Sequence, residues 1–178
     1  MNKTVAINSF NEMINRLARL PLISDQEMNE LFGEEVSAAL GRLAILDQQE
    51  NICSSCREKC CRLTKCELFS PRFEQCPIHE LRPALCRLHY CVKYRPEDRT
   101  IIKELGDIFF ECLTDAQSRG NERVKWFDSP PLAAGCPELV RAALPWVEAV
   151  ENGMLEPKRG AELILKEAEK HRTQMEKH

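Results

Sequence analysis

Apolar residues recur at helical spacing towards both ends of the chain. Two capping-box patterns, Ser9–Glu12 and Ser24–Glu27, predict the starts of two helices, because a cap Ser and a Glu three residues later satisfy free backbone N–H groups. Pro21 is expected to end the first helix. The second helix is expected to continue unbroken to about residue 50, with one long apolar face. That face comprises Met28, Leu31, Phe32, Val36, Ala39, Leu40, Leu43 and Leu46.

Helical spacing returns in the last part of the chain. Residues 101–116 carry apolar side chains along one face, Pro137 fits the first turn of another helix, and an amphipathic segment starts near Pro157. Pro145 is expected to kink or divide the helix that begins at Pro137. No stretch alternates apolar and polar residues as a strand does. The patterns therefore predict a mainly α fold.

The middle of the chain, residues 51–96, breaks this pattern. It shows little apolar periodicity, is punctuated by prolines and contains eight cysteines. A segment of this length without an apolar pattern is either disordered or held by something other than apolar burial. We expect a single domain over residues 1–178, in which a helical frame surrounds a cysteine-rich, loop-dominated metal-binding module. Its parts are N-terminal helices in 1–50, the cysteine-cluster module in 51–96 and C-terminal helices in 97–178.

The composition is that of a globular protein, with 43% hydrophobic and 30% charged residues. No apolar run approaches the roughly 18 residues of a membrane span, and the first residues lack the apolar stretch of a secretory signal. We therefore expect a cytoplasmic protein without a membrane segment. Because disulfides are rare in the cytoplasm, this many cysteines favours metal or redox chemistry.

Charge is distributed unevenly along the chain. The formal net charge is -3, yet residues 53–95 hold nine basic and four acidic side chains. Nearby cations stabilise metal-bound thiolates, and a basic surface also suits a partner protein. Nucleic acid is disfavoured as a partner, because the whole chain is acidic and the aromatic residues of the module show no stacking pattern. Those aromatic residues are Phe69, Phe73, Tyr90 and Tyr94.

The clustered cysteines are the candidate metal ligands: Cys53, Cys56, Cys60, Cys61, Cys66, Cys76, Cys86 and Cys91. Thiolates are the soft ligands that suit zinc, Cu(I) and iron–sulfur clusters. Cys53 and Cys56 form a CxxC turn whose two sulfurs can reach one metal. If this stretch is helical, Cys53, Cys56 and Cys60 share one face and Cys61 points about 100° away. Adjacent cysteines would then serve different metals, different irons of one cluster, or one metal and the core.

The cysteine spacing is compatible with more than one number and type of metal site. Eight thiols could supply two four-thiolate sites, or one such site plus spare thiols. An iron–sulfur cluster accepts irregular spacings and usually takes four cysteines, whereas a zinc ribbon normally shows two CxxC pairs and this chain has one. Zinc stays the alternative, since structural zinc sites are common.

Other cysteines and histidines are expected to play structural roles. Cys112 lies on the apolar face of a predicted helix, and Cys136 precedes Pro137 at a predicted helix start. Both are expected to be structural, since an isolated cysteine is most often a small buried hydrophobe. His79 and His89 are expected to orient or pack against the module rather than bind the metal.

Two segments carry a resemblance to a known family. CSSCREKCC (residues 53–61) and CPIHELRPALCR (residues 76–87) resemble the zinc- or iron-chelating cysteine-cluster family, also called the CxxCxxCC family. The matching positions are Cys53, Cys56, Cys60, Cys61, Cys76, Pro77, Ile78, Arg82, Pro83, Cys86 and Arg87. The resemblance implies metal chelation, by zinc or iron, and some larger relatives are flagellin lysine methylases thought to carry an iron–sulfur cluster. Only RLTK separates Cys61 from Cys66, where family members have a longer segment, so ligand pairings are not transferred.

Two arginines flank one of the candidate ligands. Arg82 lies four residues before Cys86 and Arg87 directly follows it. We expect both arginines to stabilise the negatively charged site through hydrogen bonds to the group that the cysteines hold.

The first functional hypothesis is a cytoplasmic metalloprotein that holds an iron–sulfur cluster, such as 4Fe-4S, in a redox, sensing or substrate-positioning role. The alternative is a zinc-stabilised binding module without catalysis, and in either case we expect a protein partner. A metal-dependent modifying enzyme is favoured least, because the seven glycines form no glycine-rich loop for a nucleotide-like cosubstrate. Folding of residues 53–95 is expected to depend on the metal, since ligation energy is folding energy in such modules.

Overall fold

A computed structural model describes residues 2–17, 22–53, 55–56, 60–63, 65–88, 93–120, 132 and 136–175. Within these ranges the fold is mainly α, as predicted, and contains no β-strand. The α-helices are α1 (Lys3–Leu17), α2 (Asp25–Phe32), α3 (Glu34–Glu50), α4 (Cys60–Leu63), α5 (Ala84–Leu88), α6 (Pro96–Ser118), α7 (Pro137–Glu151) and α8 (Pro157–Met175). A 3₁₀ helix spans His79–Leu81. No helix in the described ranges is long and apolar enough to cross a lipid bilayer.

Helix α1 begins earlier than the sequence predicted. Ser9 was expected to cap the first helix but lies inside α1, which begins at Lys3. Asn2 takes the capping role, because its Oδ1 accepts the backbone N–H groups of Thr4 and Val5 at 3.0 and 3.4 Å. The earlier start places Ala6 on the same face as the fully buried Phe10, one helical turn away. Pro21, which was expected to end this helix, lies outside the described residues.

The second predicted cap is confirmed, but the long helix after it is two helices. Ser24 and Glu27 form both hydrogen bonds of a capping box at the start of α2. Gly33 then separates α2 from α3, with a φ of 82° that other residues rarely adopt. Its N–H donates to the Asn29 carbonyl at 2.8 Å and closes α2, so α3 starts in a new direction. Helix α3 ends at Glu50, where the apolar pattern predicted an end.

The first apolar core lies among α1, α2, α3 and α6. The ring of Phe10 is at its centre, with ring centroids 4.7 Å from Phe32 and 4.9 Å from Phe109. The predicted apolar face of α6 is buried here, including the fully buried Ile102 and Leu105. Burying side chains of this size contributes roughly 1.5–3 kcal/mol each, which makes this core the main anchor of the N-terminal helices.

The second apolar core is built on the pair α7 and α8. Pro137 occupies the first turn of α7 as predicted, and α8 begins at Pro157 as predicted. Pro145 lies inside α7 without dividing it. The two helices approach closely at Gly160, where an added Cβ would lie 2.2 Å from Cγ2 of Val150.

The cysteine-rich segment contributes buried residues to both cores. Leu68, Phe73, Ile78 and Leu81 join the second core, whereas Leu88 and Tyr94 join the first. The expectation that apolar burial contributes little to this segment was therefore wrong. These residues lack a helical period because turns, rather than one long helix, bring them to the interior.

Candidate metal centre

Turns and short helices position four of the predicted ligands. Cys61 lies on α4. The chain then turns through Lys65, whose φ of 52° is in the left-handed region, and the N–H of Cys66 donates to the Cys61 carbonyl at 2.9 Å. Cys76 precedes the 3₁₀ helix, and its carbonyl accepts the N–H of His79 at 3.1 Å. Cys86 lies on α5. We call Cys61, Cys66, Cys76 and Cys86 the four-thiol group.

The members of the four-thiol group act on one another electrostatically. Burial raises the pKa of Cys66 to about 12, and the charges of Cys61 and Cys76 raise it further. Burial likewise raises the pKa of Cys76 to about 12, and the charges of Cys61 and Cys86 act in the same direction. All four thiols are partly buried. The structure therefore gathers residues that are spread over twenty-six positions of the sequence into one neighbourhood.

Two members of the group share a local geometry that favours thiolates. The backbone N–H of Leu68 donates to the Cys66 thiol, and that of Ile78 donates to the Cys76 thiol, so each bond spans two residues. Both hydrogen bonds lower the pKa of the thiol that accepts them, because they stabilise its charged form. Leu68 and Ile78 are 1% exposed, so the second core holds these donors in place.

The other described pair of ligands has a separate set of contacts. We call Cys53 and Cys56 the CxxC pair. Sγ of Cys53 lies 3.2 Å from the Tyr94 hydroxyl, and the Cys53 N–H donates to Oδ1 of Asp47 at 2.7 Å. Lys93 Nζ donates to Sγ of Cys56 at 2.9 Å. Burial raises the pKa of Tyr94, and its hydrogen bond to Cys53 raises it further.

Cys53, Cys56 and Cys60 were predicted to share one helical face if their stretch is helical, and the CxxC pair does not meet that condition. Residues 51–53 form turns, Cys56 is not helical, and α4 begins only at Cys60. The side chain of Cys60 and all of His89 and Cys91 lie outside the described residues. Their predicted roles therefore stay predictions.

Cys112 and Cys136 occupy the structural positions expected of them. Cys112 is buried in the first core and Cys136 in the second, with 7% and 0% exposure. Burial raises the pKa of both thiols, that of Cys136 to about 12. Cys136 lies at the N-cap of α7, where thiolate is favoured, but the loss of solvent outweighs that effect.

The partly buried His79 is uncharged at neutral pH. Burial lowers its pKa to about 4, and the positive charges of Arg82 and Arg87 lower it further. Its backbone carbonyl accepts a hydrogen bond from Nε of Arg82 at 3.0 Å. These contacts fit the expected orienting role, and its neutral imidazole could also accept a hydrogen bond.

The two predicted arginines differ in their contacts. The charge of Arg82 lowers the pKa of Cys76, which agrees with a role in stabilising thiolates. Arg87 is 3% exposed, and its guanidinium donates to Asp25, to the Glu80 carbonyl and, at 3.3 Å, to the Arg82 carbonyl. These contacts give Arg87 a structural role, and its hydrogen bonding to a bound group stays a prediction.

Three residues near the thiols were missed by the sequence analysis, whereas Lys93 belongs to the nine basic side chains expected to stabilise thiolates. Asp47, Lys93 and Tyr94 contact the CxxC pair, and Glu67 lies beside Cys66, where its charge raises the Cys66 pKa. Oε2 of Glu67 is buried, and no hydrogen-bond partner for it occurs in the described part of the chain. Only the adjacency of Glu67 to Cys66 could have been noticed in the sequence, because the other contacts join distant positions.

The described thiols are neighbours without forming a coordination shell. Within the described ranges, no three His, Cys, Asp or Glu side chains are arranged so that they could hold a metal ion. No protein-family model, no curated protein and no solved structure matches this chain. The resemblance to the CxxCxxCC family therefore stays an expectation.

Proposed function

We propose that this chain is a metal-binding protein whose four-thiol group holds an iron–sulfur cluster. The observation that carries the proposal is the mutual electrostatic influence of the four thiols: Cys61 and Cys76 raise the pKa of Cys66, and Cys61 and Cys86 raise that of Cys76. Four cysteine thiolates are the usual ligands of both [2Fe–2S] and [4Fe–4S] clusters. Membership of the CxxCxxCC family is part of the same proposal.

The chemistry of the donor set fits a thiophilic group. The sulfurs are soft ligands, and the N–H groups of Leu68 and Ile78 already point at two of them. The positive charge of Arg82 favours the thiolate of Cys76. Hydrogen bonds to sulfur and nearby charge are among the features that determine the reduction potential of a cluster, so these residues would tune as well as hold it.

A bound cluster would supply an electron-transfer centre, which suits electron transfer, redox sensing or the positioning of a substrate. The exposed Arg62, Lys65 and Lys93 give the module a positive surface, which favours an acidic partner protein. No disulfide joins the eight cysteines whose side chains the structure describes, as suits a reducing cytoplasm. Cys53, Cys56, Cys60 and Cys91 stay predicted ligands, either of a second site or as spare thiols beside the first.

Zinc is the second candidate for the same sulfurs. Four thiolates also form the closed tetrahedral shell of structural zinc sites, and such a site would stabilise a binding module without catalysis. The backbone turns at Cys66 and Cys76, each with an N–H donated to sulfur, suit a zinc site equally well.

Anaerobic purification followed by metal analysis distinguishes the two candidates. A cluster predicts a brown protein with iron and acid-labile sulfide, together with an EPR signal in one oxidation state. A colourless protein with stoichiometric zinc would establish the zinc alternative. Protein that contains neither metal and fails to take up either one would refute metal binding.

Two alanine variants test the assignment of the ligands. Cys76→Ala is expected to lose most of the bound metal, because it removes a member of the four-thiol group. Cys136→Ala is the matched control, because Cys136 is buried in the same core and its pKa is also raised to about 12. Equal metal content in the two variants would contradict the assignment.

A further inference from the structure

Arg87 connects three segments of the chain around the four-thiol group. Its guanidinium donates to the Asp25 carboxylate in the first turn of α2, to the Glu80 carbonyl in the 3₁₀ helix and to the Arg82 carbonyl. The arginine itself follows Cys86 directly on α5. One side chain thus joins α2, the 3₁₀ helix and α5.

The backbone reinforces the same junction. The N–H of Ile23 donates to the Arg82 carbonyl at 3.4 Å, and Leu22 forms an isolated antiparallel bridge with Pro83. Residues 22–25 therefore lie alongside residues 82–87. Arg87 is buried at this junction, whereas the Asp25 side chain is 80% exposed and approaches it from the protein surface.

We propose that Asp25 and Arg87 form a positioning pair that fixes Cys86 relative to Cys76. The hydrogen bonds of Arg87 extend from α5, which carries Cys86, to the 3₁₀ helix, which follows the turn of Cys76. Asp25 holds the guanidinium in the orientation that reaches both carbonyls. The inference rests on the proposed function, since it concerns the same thiols, and it assigns to α2 a part in the site that the cysteine spacing does not show.

This role differs from the charge stabilisation expected from the sequence. A lysine at position 87 would keep the positive charge but could not supply the planar set of donors that contacts three acceptors. If geometry is the role, Arg87→Lys behaves like Arg87→Gln. If charge is the role, Arg87→Lys behaves like the wild type and the positioning proposal is wrong.

The first turn of α2 offers a matched control. Glu27, two residues after Asp25, pairs with Arg172 of α8 at 3.0 Å, and both side chains are largely buried. Arg172→Ala removes this ion pair and leaves the Ser24–Glu27 capping box in place. Both ion pairs attach the start of α2 to another element. Of the two, the Asp25 pair contains Arg87, which directly follows the candidate ligand Cys86.

Metal affinity is the first measurement. Co²⁺ and Zn²⁺ are titrated into metal-free Asp25→Ala, Arg172→Ala and the two Arg87 variants, with the thiolate-to-Co²⁺ absorption as the spectroscopic readout. We expect Asp25→Ala to lose roughly tenfold in affinity, the lower end of the effect of residues that orient metal ligands. Arg172→Ala is expected to keep the wild-type affinity. Equal affinities of Asp25→Ala and the wild type, or an equal loss in Arg172→Ala, would overturn the proposal.

Alkylation of the metal-free protein separates this proposal from the function itself. Residue-resolved mass spectrometry gives the modification rate of Cys86, with buried Cys112 of the first core as a reference for global opening. Asp25→Ala is expected to increase the Cys86 rate several-fold without changing the Cys112 rate. An unchanged Cys86 rate, or a parallel rise of both rates, refutes positioning. A wild-type chain that binds no metal refutes the function, while the alkylation result still decides the positioning pair.

Discussion

The buried thiol of Cys136 predicts a specific loss of stability at alkaline pH. Cys136 is 0% exposed, and burial raises its pKa from 9.0 to about 12. The unfolded chain therefore loses this proton near the ordinary value, while the folded chain keeps it until much higher pH. The stabilisation is fully present below pH 9.0 and declines as the pH rises above that value.

The size of the effect follows from linkage. Each pH unit between the unfolded and folded pKa lowers the free energy of unfolding by about 1.4 kcal/mol per thiol. From about pH 8 to pH 10, Cys136 should therefore account for about 1 kcal/mol of lost stability. Because Cys66 and Cys76 have similarly raised pKa values, the three thiols together should lower the stability of the metal-free protein by about 3 kcal/mol.

Urea unfolding of the reduced, metal-free protein at both pH values provides the assay. Cys136→Ala is expected to lose about 1 kcal/mol less than the wild type between the two pH values, because it lacks one of the titrating thiols. Val147→Ala is the control, since Val147 is 4% exposed in the same core and has no titratable group. It should keep the wild-type pH dependence despite its cavity. Identical pH dependence in Cys136→Ala and the wild type would refute the assigned burial of the thiol.

Three further predictions concern packing, metal binding and local order. Gly160→Ala should destabilise the protein by about 1–2 kcal/mol in thermal unfolding, because the added Cβ would overlap Val150. Gly41→Ala should stabilise α3 by up to about 1 kcal/mol in the same assay, because an added Cβ there has nothing within 4 Å. Metal binding to the four-thiol group should release protons, which titration in weak buffer with a pH indicator can measure, and the affinity should rise with pH. An affinity that does not depend on pH would contradict the raised thiol pKa values. Removing the metal should increase hydrogen exchange in residues 51–56 more than in residues 68–88, because residues 68–88 contribute side chains to the second core. Equal increases in the two segments would contradict this reasoning.

Local patterns predicted the helices better than their boundaries. The Ser24–Glu27 capping box was recognisable because both of its partners lie within four residues. Whether Asn2 or Ser9 caps the first helix depends on the burial of Ala6 and Phe10 in the first core. A capping pattern alone does not report this tertiary packing. The break at Gly33 was missed because an apolar period alone does not show where the backbone turns.

The cysteines could be singled out from the sequence as candidate ligands, but their arrangement in the fold could not. The density of cysteines predicts metal chemistry, yet spacing did not show that the charge of Cys76 would act on Cys66 while the CxxC pair contacts Tyr94 and Lys93. Those contacts join positions about forty residues apart, so they depend on where α3, α6 and the module pack. Asp25 was hidden for the same reason, since it meets Arg87 only in the folded chain.

The two apolar cores change the relation between metal and fold that the sequence suggested. The thiols of Cys66 and Cys76 pack against the second core, and their raised pKa values mean that they stay neutral at neutral pH when no metal is bound. Neutral thiols can be buried at little cost, whereas unpaired thiolates would oppose burial. The metal-free chain can therefore keep Leu68 and Ile78 in the core and their N–H groups directed at sulfur. If the four-thiol group binds metal as proposed, apolar burial maintains the surrounding structure before the metal arrives, and ligation would then replace the protons of the thiols.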